Sequence, residues 1–268
     1  MAVSLRDRVV IVTGASAGIG WESARAFARE GARVALAARR ADRLEALANQ
    51  INESGGEALA VPTDVSDPSH VEALVSQTLK RWGRLDILLN NAGFGHVCRF
   101  EELTEDEIHR LVEVNLLGTL YGIQAALPIM RRQGSGHIIT VSSIVGKRGT
   151  PRNAVYVATK FAQVGLTESL RVELAGSGIQ ASVICPVGTD TEFVEAMIVK
   201  NPAFRRHVRH GPIQSAAHVA EHIVRCAKHP RPEVYPYLPA RLLVVMNALA
   251  PRLVDRLLAR FSPKLSVD

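Results

Sequence analysis

Short runs of aliphatic and β-branched residues alternate along the chain with longer stretches whose apolar positions recur every three or four residues. Val9–Thr13 reads as a strand, residues 18–30 as a helix and Arg33–Ala38 as a second strand. The helix that follows opens at Asp42, with Glu45 three residues on in capping-box spacing. Residues 58–61 predict a third strand, and 68–81 a helix with Pro68 in its first turn. Residues 86–89 predict a fourth strand. One long helix is expected over 104–132, where Glu107 follows a Thr104 cap. Residues 137–141 and 180–185 complete the set of strands, separated by a helix over 153–175. Strands that are apolar throughout belong in a parallel sheet covered on both faces, so the pattern predicts a doubly wound α/β domain. That domain is expected to span residues 1–237, with an amphipathic helical extension over 238–268.

Composition narrows the picture. The chain has 268 residues, a length that α/β units reach as single domains. With 47% apolar and 22% charged residues it is neither disordered, collagen-like nor coiled coil. Its three cysteines, Cys98, Cys185 and Cys226, are too few and too scattered for a disulfide framework and fit a reducing compartment. The opening eight residues carry no apolar core of a secretory leader, and no apolar run approaches the roughly 18 residues of a membrane span. A cytoplasmic location is therefore expected. The net charge of +6 is unevenly spread: residues 200–268 hold 12 basic and 4 acidic residues, residues 1–199 hold 20 and 22. A nucleic-acid-binding core would show a broader basic footprint, so no nucleic-acid partner is expected.

The first strand runs into Thr13-Gly14-Ala15-Ser16-Ala17-Gly18-Ile19-Gly20 and then a helix. Glycines at 14, 18 and 20 allow a tight turn and a close backbone approach to a pyrophosphate, with the helix N-terminus pointing at it. A strand–turn–helix setting of this kind marks a Rossmann-like dinucleotide fold. The second strand ends in Ala37-Ala38-Arg39-Arg40, with no carboxylate to hold a ribose 2′-hydroxyl and two guanidiniums able to grip a 2′-phosphate. This favours NADP over NAD. Asp64, after the third strand, is placed either to accept from an adenine amino group or to cap a turn.

Tyr156 and Lys160 are four apart, on one face of a helix. An ammonium beside a phenol favours the phenolate, which makes the tyrosine a usable acid/base near neutral pH. Ser142 and Ser143 close the preceding strand at the carboxyl edge of the sheet, where such folds bind ligands. Taken together, Thr13-Gly-x-x-x-Gly18-x-Gly20, Asp64, Asn90-Asn91-Ala92-Gly93, Asn115, Ser143 and Tyr156-x-x-x-Lys160 resemble the short-chain dehydrogenase/reductase family, in its order and spacing, over about residues 5 to 195. The resemblance implies a catalytic tetrad: Tyr156 as acid/base, Ser143 orienting substrate, Lys160 on the nicotinamide ribose, and Asn115 holding a water in a proton relay to Lys160. It also implies cofactor contacts at Gly14, Ser16, Gly18, Ile19, Gly20, Arg39, Arg40, Asp64, Val65, Asn91, Ala92, Gly93, Pro186 and either Thr189 or Thr191, besides Tyr156 and Lys160. Homodimers or homotetramers built through the 104 and 153 helices are implied as well. One departure stands out. The family follows its sixth strand with Pro-Gly, whereas this chain has Pro186-Val187-Gly188, so that loop is expected to take another path.

The reading is thus an NADP-dependent oxidoreductase that moves a hydride between cofactor and a carbonyl or alcohol. Phe94, His96, Val97 and Phe193 are placed to touch the substrate, and Met197, Ile198 and Phe204 to make its pocket apolar. A nucleotide-sugar epimerase or dehydratase is opposed by the glycine spacing, and a non-catalytic dinucleotide sensor by the retained Tyr156 and Lys160. His218 and His222 have metal-like i, i+4 spacing but no evident third ligand, so no metal is expected; His207, His210 and His229 read as solvated. In the tail, Pro251 predicts a break between two short helices. Leu242, Met246, Leu249, Leu253, Leu257 and Phe261 predict one apolar face, and Arg252, Arg256 and Arg260 a basic stripe beside it. Two uses stay open: packing on this chain or a second subunit, or lying in an anionic membrane surface beside the pocket mouth.

Overall fold

Val9–Thr13 (β1) is buried at every position and lies at the centre of a seven-stranded sheet, flanked by Arg33–Ala38 (β2) and Ile87–Asn90 (β4). The computed structural model describes residues 2–200 and 213–261. Beyond β2 lies Glu57–Pro62 (β3). Beyond β4 come Gly136–Val141 (β6), Ile179–Ile184 (β7) and Glu233–Val234 (β11). Every pairing in this sheet is parallel. The chain winds outward from β1 to β3, then returns to start again at β4 on the other side. The reversal opens a crevice at the carboxyl ends of β1 and β4, where doubly wound sheets bind their ligands.

Helices cover both faces, as apolar strands require. Gly18–Arg29 (α1), Ala41–Glu53 (α2) and Ala216–Lys228 (α8) bury Phe27, Leu44, Leu47, Val219 and Ile223 on one side. Pro68–Trp82 (α3), Gly118–Gln133 (α5) and Ala154–Glu173 (α6) bury Leu74, Ile123, Met130 and Leu170 on the other. Asp67 caps α3 by accepting from the Ser69 N–H at 2.8 Å. Thr104 and Glu107 form the expected capping box at the start of Glu105–Val112 (α4).

The long helix expected over 104–132 is interrupted. Residues Glu113–Leu117 form a π turn between α4 and α5, with the Gly118 N–H bonded to the Glu113 carbonyl five residues back. The capping box expected at Asp42 does not form: α2 opens at Ala41 after Arg40, without a side-chain cap. Four short strands that carry too little periodicity to be read ahead also appear. His96–Val97 (β5) pairs with Ile198–Val199 (β9), and Gly188–Asp190 (β8) with Ile213–Ser215 (β10). Of these, β8 and β10, with the short helix Phe193–Ala196 (α7), line the crevice as a roof.

Pro251 splits the tail, as expected, into Ala240–Leu249 (α9) and Pro251–Phe261 (α10). The side that packs is not the one the leucine spacing suggests. Ala240 and Val254 are buried, while Leu242, Leu249, Leu253 and Leu257 are exposed. Arg148 holds this helical pair to the body through Asn247 (2.9 Å) and an ion pair with Asp255. No helix among the described residues is long and apolar enough to cross a membrane.

Candidate active site

β1 ends where the glycine-rich turn begins, and close neighbours leave no room there for side chains. Gly18 sits at φ +57°, and a Cβ there would fall 2.9 Å from Thr191; at Gly20 a Cβ would come within 2.2 Å of the Gly14 carbonyl oxygen. The free backbone N–H groups at the start of α1 therefore face an open groove, which suits a pyrophosphate. Thr13 knits the groove to β4: its Oγ1 accepts from the N–H groups of Asn91 (2.9 Å) and Ala92 (3.1 Å), while Asn91 Nδ2 donates to the Thr13 carbonyl (2.9 Å). Gly14, Ser16, Gly18, Ile19, Asn91, Ala92, Gly93 and Val65 all line a single cleft of about 830 Å³. Gly20 lies just behind it.

The two arginines after β2 both line this cleft, and they differ. Arg40 is occupied. Its Nε and Nη2 donate to Ser16 Oγ (3.2 and 3.1 Å), and its Nη1 meets Glu192 at 2.9 Å. Glu192, from the loop beyond β8, also lies 3.6 Å from Arg43. Arg39 is exposed and makes no hydrogen bond or ion pair among the described residues. Asp64 lines the cleft, and its Oδ1 accepts from Ser66 N–H (3.0 Å) and Oγ (2.7 Å). Burial would raise its pKa, but those bonds and the charge of Arg39 prevail and hold it below the usual carboxylate range.

Tyr156, Lys160 and Ser143 line the far end of the same cleft. α6 carries the first two one turn apart, with the Lys160 ammonium 5.6 Å from the Tyr156 ring centre. Burial pushes the phenol upward, opposed by a hydrogen bond with Ser143. Burial lowers Lys160 to about 7. Its Nζ donates to the Val141 carbonyl (2.9 Å) and to Gln163 Oε1 (3.0 Å), which leaves one N–H for a ribose hydroxyl. Ser142 also lines the cleft, but its Oγ is engaged, donating to the Lys160 carbonyl at 2.9 Å.

Asn115 sits in the π turn and braces the cleft. Its Nδ2 donates to the Phe94 carbonyl (2.8 Å) and Thr159 Oγ1 (3.2 Å), and its Oδ1 accepts from the Phe94 N–H (2.9 Å). Its backbone carbonyl accepts from Thr119 Oγ1 (2.9 Å) and Gln163 Nε2 (2.7 Å). Both lone pairs of that backbone carbonyl are therefore taken, while Oδ1 keeps one for the water expected on Asn115. Sequence reasoning missed Gln163, because the partners of its Nε2, Asn115 and Thr119, lie 48 and 44 residues away.

Among the expected substrate contacts, Phe94 and Phe193 line the cleft, and the Phe193 ring lies 5.8 Å from that of Tyr156. Met197 lines it as well, while Val97 and Ile198 do not. His96 is corrected. It is fully buried, and its Nε2 accepts from the Val155 N–H at 3.2 Å, so it caps α6 rather than touching a substrate. With Nε2 accepting, the neutral ring carries its proton on Nδ1, which points at Cys98 Sγ at 3.4 Å. Beyond β7, Val187 stays out of the left-handed region, and Thr189 Oγ1 donates back to its carbonyl (3.0 Å). Pro186, Thr189 and Thr191 line the cleft, with Thr191 lying over Gly18. The His218 and His222 rings lie 4.5 Å apart, tilted by 55°; no cluster of three metal-ligating side chains occurs among the described residues. Phe204, His207 and His210 lie outside the described residues.

Comparison with known proteins agrees with this geometry. A family model described as short chain dehydrogenase matches residues 8–201. An uncharacterised oxidoreductase of Staphylococcus saprophyticus is 40% identical over 195 residues, covering 72% of this chain and 78% of that protein. The uncharacterised oxidoreductase YxnA of Bacillus subtilis is 36% identical over 265 residues, 96% of this chain and 72% of that protein, so the similarity runs past residue 201. Among solved structures, a short chain dehydrogenase/reductase from Burkholderia phymatum in complex with NAD superposes with a TM-score of 0.87 at 26% identity, covering 99% of each chain. An alcohol dehydrogenase from Thermococcus sibiricus complexed with 5-hydroxy-NADP gives 0.75 at 34% identity, covering 86% of this chain and 96% of that one.

Proposed function

The chain belongs to the short-chain dehydrogenase family and is an oxidoreductase that binds a nicotinamide cofactor, and from that premise we propose that it uses NADP to interconvert a lipophilic carbonyl and its alcohol, with Tyr156 as acid/base. One observation carries the reading: Tyr156, Ser143 and Lys160 converge at one end of the cleft whose other end is the glycine turn. The nicotinamide supplies or accepts the hydride when bound. The residues do the rest. Ser143 Oγ holds the substrate oxygen, and Tyr156 Oη gives it a proton as negative charge develops, or removes one in the other direction. Lys160 steadies the ribose and favours the phenolate. Gly14, Ser16, Gly18, Ile19, Asn91, Ala92 and Gly93 fit the pyrophosphate and its neighbours. Thr189 fits the carboxamide, since Thr191 lies over the turn.

NADP preference rests on Arg39, which a 2′-phosphate can reach without displacing a protein partner. Phe94, Phe193 and Met197 support an apolar substrate. Tyr156→Phe should abolish turnover of NADPH with a panel of aldehydes, ketones and quinones while sparing NADPH binding. Turnover equal to the wild type would remove Tyr156 from the chemistry.

The tail supports a peripheral contact with an anionic membrane in a cytoplasmic protein. Leu238, Leu242, Val245, Leu249, Leu253 and Leu257 form an exposed ridge, with Arg252, Arg256 and Arg260 next to it around α10. Apolar residues inserted at the headgroup level, with arginines on lipid phosphates, suit an interfacial helix. A twofold contact would set this basic segment against itself, so subunits are proposed to pair through α5 and α6 instead. The whole protein should co-sediment with anionic vesicles at low salt and lose that on removal of residues 238–268. A supernatant protein refutes the contact, and a truncation that instead changes the oligomer size assigns the ridge to a second copy.

A further inference from the structure

Gln163 lies on α6 three residues after Lys160 and is 1% exposed. Its amide is bound at both ends. Oε1 accepts from Lys160 Nζ at 3.0 Å, and Nε2 donates to the Asn115 carbonyl at 2.7 Å and to Thr119 Oγ1 at 3.1 Å. A carbonyl oxygen has two lone pairs, and Thr119 Oγ1 takes the second at 2.9 Å. The Asn115 backbone carbonyl and the Lys160 ammonium are therefore joined by a side chain instead of a water. The substitution is not neutral. A water can accept a proton on one side and release one on the other. An amide can do so only through its imidic acid form, which lies far uphill, so this bridge fixes the ammonium and conducts no proton.

We propose that Gln163 is a positioning residue for Lys160, an amide standing in place of the bridging water and tying the ammonium to the π turn. The proposal rests on the reading of Lys160 as the cofactor-facing cation, but its test does not need a known substrate. Lys160 is nearly buried, at 4% exposed, and few groups share its surroundings. Tyr156 faces it from α6 and Cys185 from the end of β7. Beyond Gln163, the groups its amide meets on the π turn and α5 are the uncharged Asn115 and Thr119. Burial brings its titration to about 7, so a change in the acceptor on Nζ moves a group that is half-ionised near neutrality. The two possible changes act in opposite directions. Gln163→Glu places a carboxylate against the ammonium and favours the charged form; Gln163→Leu removes an acceptor and disfavours it.

The experiment follows the Lys160 side-chain resonance by NMR through a pH titration, in the full chain labelled at lysine, with Lys160→Met to assign it. The expected result is a rise of about one pH unit or more in Gln163→Glu and a fall in Gln163→Leu, both folded by circular dichroism. A residue that only fills space would leave the titration of both variants at the wild-type value, and that outcome overturns the proposal. If one variant does not fold, the sign of the shift in the other still decides. Where a turned-over carbonyl is in hand, the pH profile of kcat/KM should move with the same sign. Absence of any turnover in the wild type would count against the oxidoreductase reading, and the lysine titration would still decide the role of Gln163.

Discussion

Arg39 and Arg40 are adjacent and chemically identical, yet the fold gives them different work. Arg40 is engaged by Ser16 and Glu192, whereas Arg39 faces the cleft with its donors open. Arg39→Asp should therefore weaken NADPH binding by at least about tenfold and leave NADH nearly unchanged, since a lost charge-assisted contact is worth roughly 1.5–3 kcal/mol. Fluorescence titration of both cofactors measures the ratio; an unaltered ratio would mean the phosphate is read elsewhere. Glu192→Gln should shift the ratio the other way, because it removes the carboxylate that competes for Arg40. What is legible in the sequence at this scale follows from distance along the chain. Tyr156 and Lys160 are visible because one helical turn joins them. Glu192 and Arg40 are 152 residues apart, and nothing in the local pattern of either announces the other. His96 departs from its expected role for a related reason: a histidine beside a binding loop looks the same whether it meets a ligand or a helix end.

At the scale of elements, the helix that carries the catalytic pair is held at its start by residues from outside it. Asn153 offers α6 no side-chain cap, and the Val155 N–H is taken instead by His96 from β5. The same strand pairs with β9, and the Cys98 N–H donates to the Arg152 carbonyl at 3.0 Å. His96→Ala should remove this cap and open a hole beside it, destabilising the protein by about 2–3 kcal/mol. Because Tyr156 follows Val155 directly, kcat should fall while NADPH affinity holds; thermal melts and steady-state kinetics read the two effects. A variant with lowered melting temperature but full kcat would show that α6 keeps Tyr156 in place without the cap. The long strands and helices are readable because each is decided by its own periodicity. The π turn is not, since its signature is the Asn115 carbonyl turned to Thr119 and Gln163, a tertiary matter. The tail shows both outcomes. Pro251 fixes the break, but the leucine ridge does not become the packed face, because Asp255 and Asn247 draw the opposite side onto Arg148.

At the scale of the whole molecule, two histidines among the described residues are held away from water at distant points, and this gives stability a pH dependence of definite sign. His96 lies in β5. His137 lies within β6, where Nε2 meets Ser182 Oγ at 2.8 Å and Nδ1 has no partner. Burial lowers both from 6.5 to about 4. Between those values the unfolded chain binds protons that the native state refuses, so stability is whole above the unfolded value and falls as pH falls toward 4. Each histidine should cost about 2 kcal/mol by pH 5 relative to neutrality. The paired carboxylates act lower. At Asp86 burial raises the pKa, but the bonds from Arg84, the Val9 N–H and Arg8 outweigh it and leave it lowered, so its contribution is lost only below the ordinary carboxylate range. Acid should therefore weaken the protein in two stages, the histidines first and carboxylates such as Asp86 afterward. Urea midpoints measured at intervals from about pH 7.5 down to pH 4.5 would resolve the first stage. In His137→Leu the slope over that range should drop by about half, and in the double variant with His96→Gln, whose amide oxygen can still accept from Val155, it should nearly vanish. A wild-type midpoint that stays level across the range would mean that both rings are protonated in the native state, with the His96 cap on α6 broken and a second donor on His137 facing a buried strand.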